Sequence, residues 1–285
     1  MSDVDNRQPY QPEPLKGLLP VSALMHYIPG WLERHWPELN EDMRDETVYH
    51  RLNSQIKYHV YARPIRDAAC IDGNRTIHLF ENYFQLLLCV CYAQVVLYQE
   101  GWQKSIRAGN PRGFYDSSIP AVALAYEVLA AGESLIHTFD KSRFEGLPMP
   151  TEPVNEGDEL VGKANNMFVA AGVFIVMHEY AHHWYDHVSL PTNTPDSHSL
   201  EYRADELALD LMKRGTGKGR DVDNINALGV IATMTSLMLL NPQLDGNDTH
   251  PALHERYWHA LNHLNLEGAD DIWINAGIRS HLKNS

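Results

Sequence analysis

The chain has 285 residues, 44% of them apolar and 21% charged, with a formal net charge of −14. Such a length and composition suit a globular protein that buries a substantial core. The acidic balance and the lack of any Lys/Arg block argue against a nucleic-acid partner gripped through its phosphates.

Residues 1–20 are polar and Pro-rich and read as a disordered lead, without the basic start and apolar run of a secretory signal. One domain is expected over 21–285, with an N-terminal part (21–165) and a set of catalytic helices (166–285). Amphipathic helices are expected around Ser22–Trp36 and Glu41–Tyr61. The turn signal Asp72-Gly73-Asn74 precedes a short strand, Thr76–Phe80. Glu81–Glu100 reads as a long buried helix and Pro120–Phe139 as another. Residues 142–166 hold Gly146, Pro148, Pro150, Pro153 and Gly157 and read as a long loop, a candidate lid over a cleft. Asn165 or Asn166 would then cap a helix running from Met167 to His187. The first three turns of that helix are almost wholly apolar, which makes it central. Thr194-Pro195 opens a helix that reaches Arg214 and stops at Gly215. After a loop over Gly215–Asn224, Ile225–Leu240 is again apolar, and Pro251 begins a helix through Leu264. The class implied is mainly α, with a minor β component.

The apolar stretches Leu86–Leu97, Met167–Met177 and Leu228–Leu240 each fall short of the roughly 20 residues a bilayer span needs. A soluble, cytoplasmic protein with no membrane span is therefore expected. The three cysteines, Cys70, Cys89 and Cys91, are odd in number and sit near apolar sequence. They read as buried reduced thiols in a reducing compartment.

The chemistry concentrates in His178-Glu179-Tyr180-Ala181-His182, an H-E-x-x-H sequence at the polar end of the Met167–Met177 run. Residues four apart share a helix face, so both imidazoles reach one ion, and Glu179 can act as base towards a zinc-bound water. A catalytic zinc takes three protein ligands and keeps one open position. A metzincin-type third histidine is absent, because Tyr185 and Val188 stand where Gly and His are needed. His187 lies about 500° around a continued helix from His182 and would not share its face. Asp186 is too close to the motif's own axis. A second helix offers Glu201, with Asp205 one turn later, so that one carboxylate binds the ion and the other orients a ligand histidine.

His178–His182 followed by Glu201-x-x-Ala204-Asp205, and then by Thr249-His250-Pro251-Ala252-Leu253-His254-Glu255-Arg256, resembles the gluzincin metallopeptidases and is M48-like in its motifs. The lack of spanning helices and the short gap between His182 and Glu201 fit a compact, soluble, minigluzincin-like form. A Lit-like phage-exclusion peptidase is a related alternative. The resemblance covers about residues 167–265. It implies a zincin-like helical domain with a small antiparallel sheet and a buried catalytic helix. It further implies Zn2+ on His178, His182 and Glu201, with Glu179 as base. Asp205 would be the outer partner of the centre, Arg256 its brace and His250 an aid to the tetrahedral intermediate. Tyr202 and His183 are lesser candidates for that last role. Zincins hold substrate as an added strand on a sheet edge, for which Ile77, His78 and Leu79 are the candidates. The function implied is hydrolysis of peptide bonds in an intracellular protein or peptide. The alternative is a latent zinc-binding regulator or sensor. His259 and His263, four apart on the last helix, read as packing or surface residues.

Overall fold

The computed structural model describes residues 15–35, 56–74, 76–109, 116–151, 157–187, 190, 197–215, 220–241 and 250–264. Most of them are helical, and one small sheet accompanies the helices. The chain enters through two short helices, α1 (Ser22–Met25) and α2 (Tyr27–His35). The last part of the expected disordered lead is packed. Leu19 is buried, its N–H donates to Glu81 Oε1, and the Val21 N–H donates to Gln85 Oε1. These buried bonds use two polar side chains of a core helix to satisfy backbone donors that water cannot reach.

The sheet holds β1 (Ile56–His59), β2 (Ala69–Ile71) and β3 (Ile77–Phe80) in the order β1-β3-β2. It is mixed rather than antiparallel: β1 runs parallel to β3 and β2 antiparallel to it. β1 occupies the end of the stretch expected to be the helix Glu41–Tyr61. The alternation Ile56-Lys57-Tyr58-His59 puts an apolar side chain on every second position, which suits a strand with one covered face. The strand expected at Thr76–Phe80 is present as β3, but it is the central strand. Both its flanks are paired, so Ile77, His78 and Leu79 have no open edge to offer. Ile77 and Leu79 point into the core, while His78 bonds Asp72 and His59 on the other face.

Helix α3 (Glu81–Val96) is buried along its whole length. It carries apolar residues all round, as a core helix must. Wide π-type turns (Leu97–Gln103) and a short helix α4 (Lys104–Arg107) continue it past the expected end. Helix α5 (Pro120–His137) packs on α3. Helix α6 (Glu159–Trp184) starts earlier than the loop reading of 142–166 allowed, because Asp158 caps it by accepting from the N–H groups of Leu160 and Val161. Residues 152–156 of that segment lie outside the described residues. The extra turns make α6 long and apolar enough to cross a membrane, which the count from Met167 missed. In this fold, 78% of its apolar window is buried inside the protein, so it serves as a core helix.

Helix α7 (Ser197–Gly215) lies against α6. Its expected cap, Thr194-Pro195, is outside the described residues. Helix α8 (Arg220–Leu240) begins five residues before the expected Ile225. It crosses α6 so closely that a Cβ on Gly229 would fall 2.7 Å from the Ala171 nitrogen. Hydrogen bonds from Tyr83 to Ser236 (2.8 Å) and from Gln94 to Thr235 (3.1 Å) tie α3 to α8. Helix α9 (Leu253–Leu264) closes the described chain and packs on α7 and α8. The result is a core helix, α6, enclosed by α3, α7 and α8, whose polar end emerges beside β2. Cys89 and Cys91 are buried free thiols as expected, but Cys70 on β2 is exposed.

Candidate metal centre and active site

Helix α6 delivers His178 and His182 one turn apart, with their Nε2 atoms 3.1 Å from each other. Helix α7 brings Glu201 across, with Oε2 3.5 Å from His178 Nε2 and Oε1 3.4 Å from His182 Nε2. Ligands 2.0–2.1 Å from a tetrahedral zinc lie roughly 3.3 Å apart, so the donor set and its spacing fit that ion. Among the described residues this is the one group of His, Cys, Asp and Glu whose donor atoms, all within 4.8 Å of one another, can hold a metal. His259 and His263 instead pair separately with Glu206 (3.1 Å) and Asp210 (2.8 Å) on α7, which explains them as packing residues.

Each imidazole has a partner on its outer nitrogen. His178 Nδ1 lies 2.9 Å from Asp205 Oδ1, and Asp205 is fully buried. His182 Nδ1 lies 3.0 Å from His187 Nδ1. The second contact corrects the expectation that His187 points elsewhere. The helix ends at Trp184, and Asp186 takes the left-handed conformation (φ 56°), which Asp tolerates better than most residues. The chain reverses there and brings His187 back beneath His182. A helix end followed by Asp was the available signal for this return.

Arg256 enters from α9 and is 5% exposed. Its Nε and Nη2 donate to the two carboxylate oxygens of Asp205 at 2.8 and 2.7 Å, while Nη1 sits 3.1 Å from Glu201 Oε2. One guanidinium thus faces two buried carboxylates. His250 is half-exposed at the mouth, 3.7 Å from Glu201 Oε1. Of the three residues considered for stabilising charge on the substrate, His250 alone lines the cavity. The Tyr202 hydroxyl donates to Glu255, and His183 packs its ring against Tyr180.

The electrostatics follow from burial and these neighbours. Burial opposes a charge on His178, but Asp205 and Glu201 outweigh it and lift its pKa to about 10. Burial, aided by His178, pushes His182 down to about 3. Burial alone would raise Glu201, yet His178 and Arg256 hold it well below the usual carboxylate range. For Glu179 burial wins and raises it to about 7, with His178 and Arg256 opposing and Glu201 adding to the rise. A buried carboxyl that titrates near neutral pH and lines a cleft suits proton transfer in either direction.

These groups line a cavity of about 510 Å³. Phe174, Leu237 and Leu240 form an apolar wall, and Ala69–Ile71 of β2 lies on another side. The edge strand at the cleft is therefore β2, in place of the Ile77–Leu79 strand. A helix bearing two imidazoles and a carboxyl, a facing helix with a third donor, and a sheet edge at one cavity define a peptidase-like site able to hold a divalent cation. The family model for Peptidase U49 matches residues 77–276, well over half of the chain. The chain belongs to this family, a Lit-like peptidase family, and is a peptidase by that membership. Neither the curated proteins nor the solved structures contain a match.

Proposed function

We propose that the chain is a zinc-dependent metalloendopeptidase that hydrolyses peptide bonds of a protein or peptide substrate. The observation that carries this reading is the convergence of His178, His182 and Glu201 within 4.8 Å, beside Glu179, in a chain of a peptidase family. The proposed ligands are those three residues. A zinc ion held there supplies Lewis-acid polarisation of the scissile carbonyl and acidifies water. Glu179 takes the proton of the attacking water and passes it to the leaving nitrogen. His250 donates a hydrogen bond to the oxygen that gains charge. Asp205 and Arg256 hold His178 and Glu201 in place. A reducing, cytoplasmic setting is proposed with this reading, and the three free thiols are consistent with it.

The first test is metal content. The purified protein is expected to carry about one zinc per chain, and Glu201→Ala to lose it on dialysis at a chelator concentration that the native protein withstands. Full zinc occupancy in Glu201→Ala would remove Glu201 from the ligand set.

Substrate is proposed to add as a strand along β2, whose far flank has no strand partner among the described residues. Cys70 lies in that strand, lines the cavity and is the exposed thiol among three. A bound substrate peptide is expected to slow maleimide labelling of Cys70 in the Glu179→Gln protein. Unchanged labelling at saturating peptide would place the substrate elsewhere.

A further inference from the structure

We propose that His187 is a positioning residue for the metal centre. Its Nδ1 accepts the Nδ1–H of His182 and so fixes the tautomer and ring rotation that leave His182 Nε2 free to face a cation. This rests on the zinc reading above and deepens it.

The geometry is specific. His182 Nε2 points into the cluster, 3.1 Å from His178 Nε2, and its Nδ1 points out, 3.0 Å from His187 Nδ1. An imidazole that offers one nitrogen to a cation as a lone pair carries its proton on the other, so the His182–His187 bond runs from His182 to His187. The His187 ring is itself held. It stacks on Tyr185 with centroids 5.4 Å apart and planes 20° from parallel, and the Arg203 guanidinium lies 4.3 Å from the Tyr185 centroid. His187 is 9% exposed, and among the described residues its Nε2 has no hydrogen-bond partner.

That last point separates a positioning role from simple packing. An aromatic ring without nitrogen would fill the same space on Tyr185 and leave no unpartnered Nε2 there; what it would give up is the acceptor for the His182 Nδ1–H. Among the described residues the ring nitrogens at position 187 make one hydrogen bond, and it is to a proposed ligand. The arrangement mirrors the one at His178, where Asp205 lies on the outer nitrogen. It differs in charge: Asp205 adds a negative charge to the centre, whereas His187 sets orientation as a neutral acceptor. Partners of this kind are commonly worth 10–100-fold in metal affinity.

Two substitutions isolate the nitrogen. His187→Phe keeps a flat ring on Tyr185 and removes the acceptor. His187→Asn gives up the ring and places a side-chain oxygen near the former Nδ1. Zinc affinity is read by competition with a chromophoric chelator, ligand geometry by the visible spectrum of the Co2+-loaded protein, and folding by urea unfolding of the metal-free protein. The expected result is that His187→Phe binds zinc about 10–100-fold more weakly and shifts the Co2+ bands, while the metal-free protein still unfolds cooperatively. His187→Asn is expected to regain most of the affinity. Native affinity and spectrum in His187→Phe would overturn the proposal while leaving the zinc site intact. Equal loss of zinc in both variants, with lowered metal-free stability, would also overturn it and make His187 a packing residue. Failure of the native protein to bind zinc at all would remove the zinc reading and this proposal together.

Discussion

Glu179→Gln is expected to lower peptide cleavage by about 10²–10⁴-fold, with zinc content unchanged. The substitution keeps the size and hydrogen-bonding reach of the side chain and removes only its capacity to take and return a proton. None of the three proposed ligand atoms belongs to Glu179, so the cation should stay. Stability should not fall. Burial raises the Glu179 carboxyl to about 7 against the opposing His178 and Arg256, so the native site carries a net cost of ionisation that the amide lacks. The measurement is cleavage of a candidate substrate, followed by mass spectrometry over native and variant proteomes, alongside metal analysis. If cleavage persists with zinc bound, Glu179 is not the base. If zinc binds and neither protein cleaves anything, the alternative of a latent zinc-binding regulator takes the place of the peptidase.

Arg256→Met is expected to destabilise the metal-free protein, by less than the roughly 3–5 kcal/mol of a buried charge left wholly unpaired, because the His178 imidazolium stays beside both carboxylates. Asp205 is fully buried and Glu201 8% exposed, and no other Lys or Arg among the described residues pairs with either. Met matches the stem of Arg closely enough that lost packing contributes little. The pH dependence has a definite sign. Asp205 ionises at about 2 in the folded protein against an ordinary 3.8, chiefly because Arg256 offsets its burial. Its contribution is therefore present above about 4 and disappears as pH falls towards 2. The stability gap between native and variant should be widest near neutral pH and should narrow below about 4. Zinc should restore part of the loss, since it brings positive charge to Glu201. Urea unfolding at several pH values, with chelator and with zinc, measures each part. A gap that stays constant down to pH 2 would show that Arg256 acts through packing and not through charge.

The parts of the centre that were legible in the sequence are those set by helical period. His178 and His182 share a face because they are four apart. Glu201 and Asp205 do likewise, and the apolar run before His178 placed that helix in the core. Arg256 came only from the resemblance, since a single Arg on an amphipathic helix carries no local signal of what it meets. The sheet was the least legible element. β2 is three residues long, Ala-Cys-Ile, too short for any alternation to register, and which strand lies at the edge depends on pairings between distant segments. β1 stands where the tail of a helix is expected, because four residues of period-two alternation are too few to overrule the helical pattern before them. His187 was misplaced because the reading continued a regular helix through Asp186, where one left-handed residue turns the chain back.

The buried bonds from Leu19 and Val21 to Glu81 and Gln85, together with the β2–β3 pairing, bear on how far the centre can be transplanted. The family match starts at residue 77, and a chain cut there keeps every imidazole and carboxylate of the cluster. It loses the strand that borders the cavity, and it leaves Glu81 and Gln85 facing the interior without the amide groups they now hold. A swap between relatives that respects only the matched boundary would thus carry over the ion's cradle without the wall against which a polypeptide is laid.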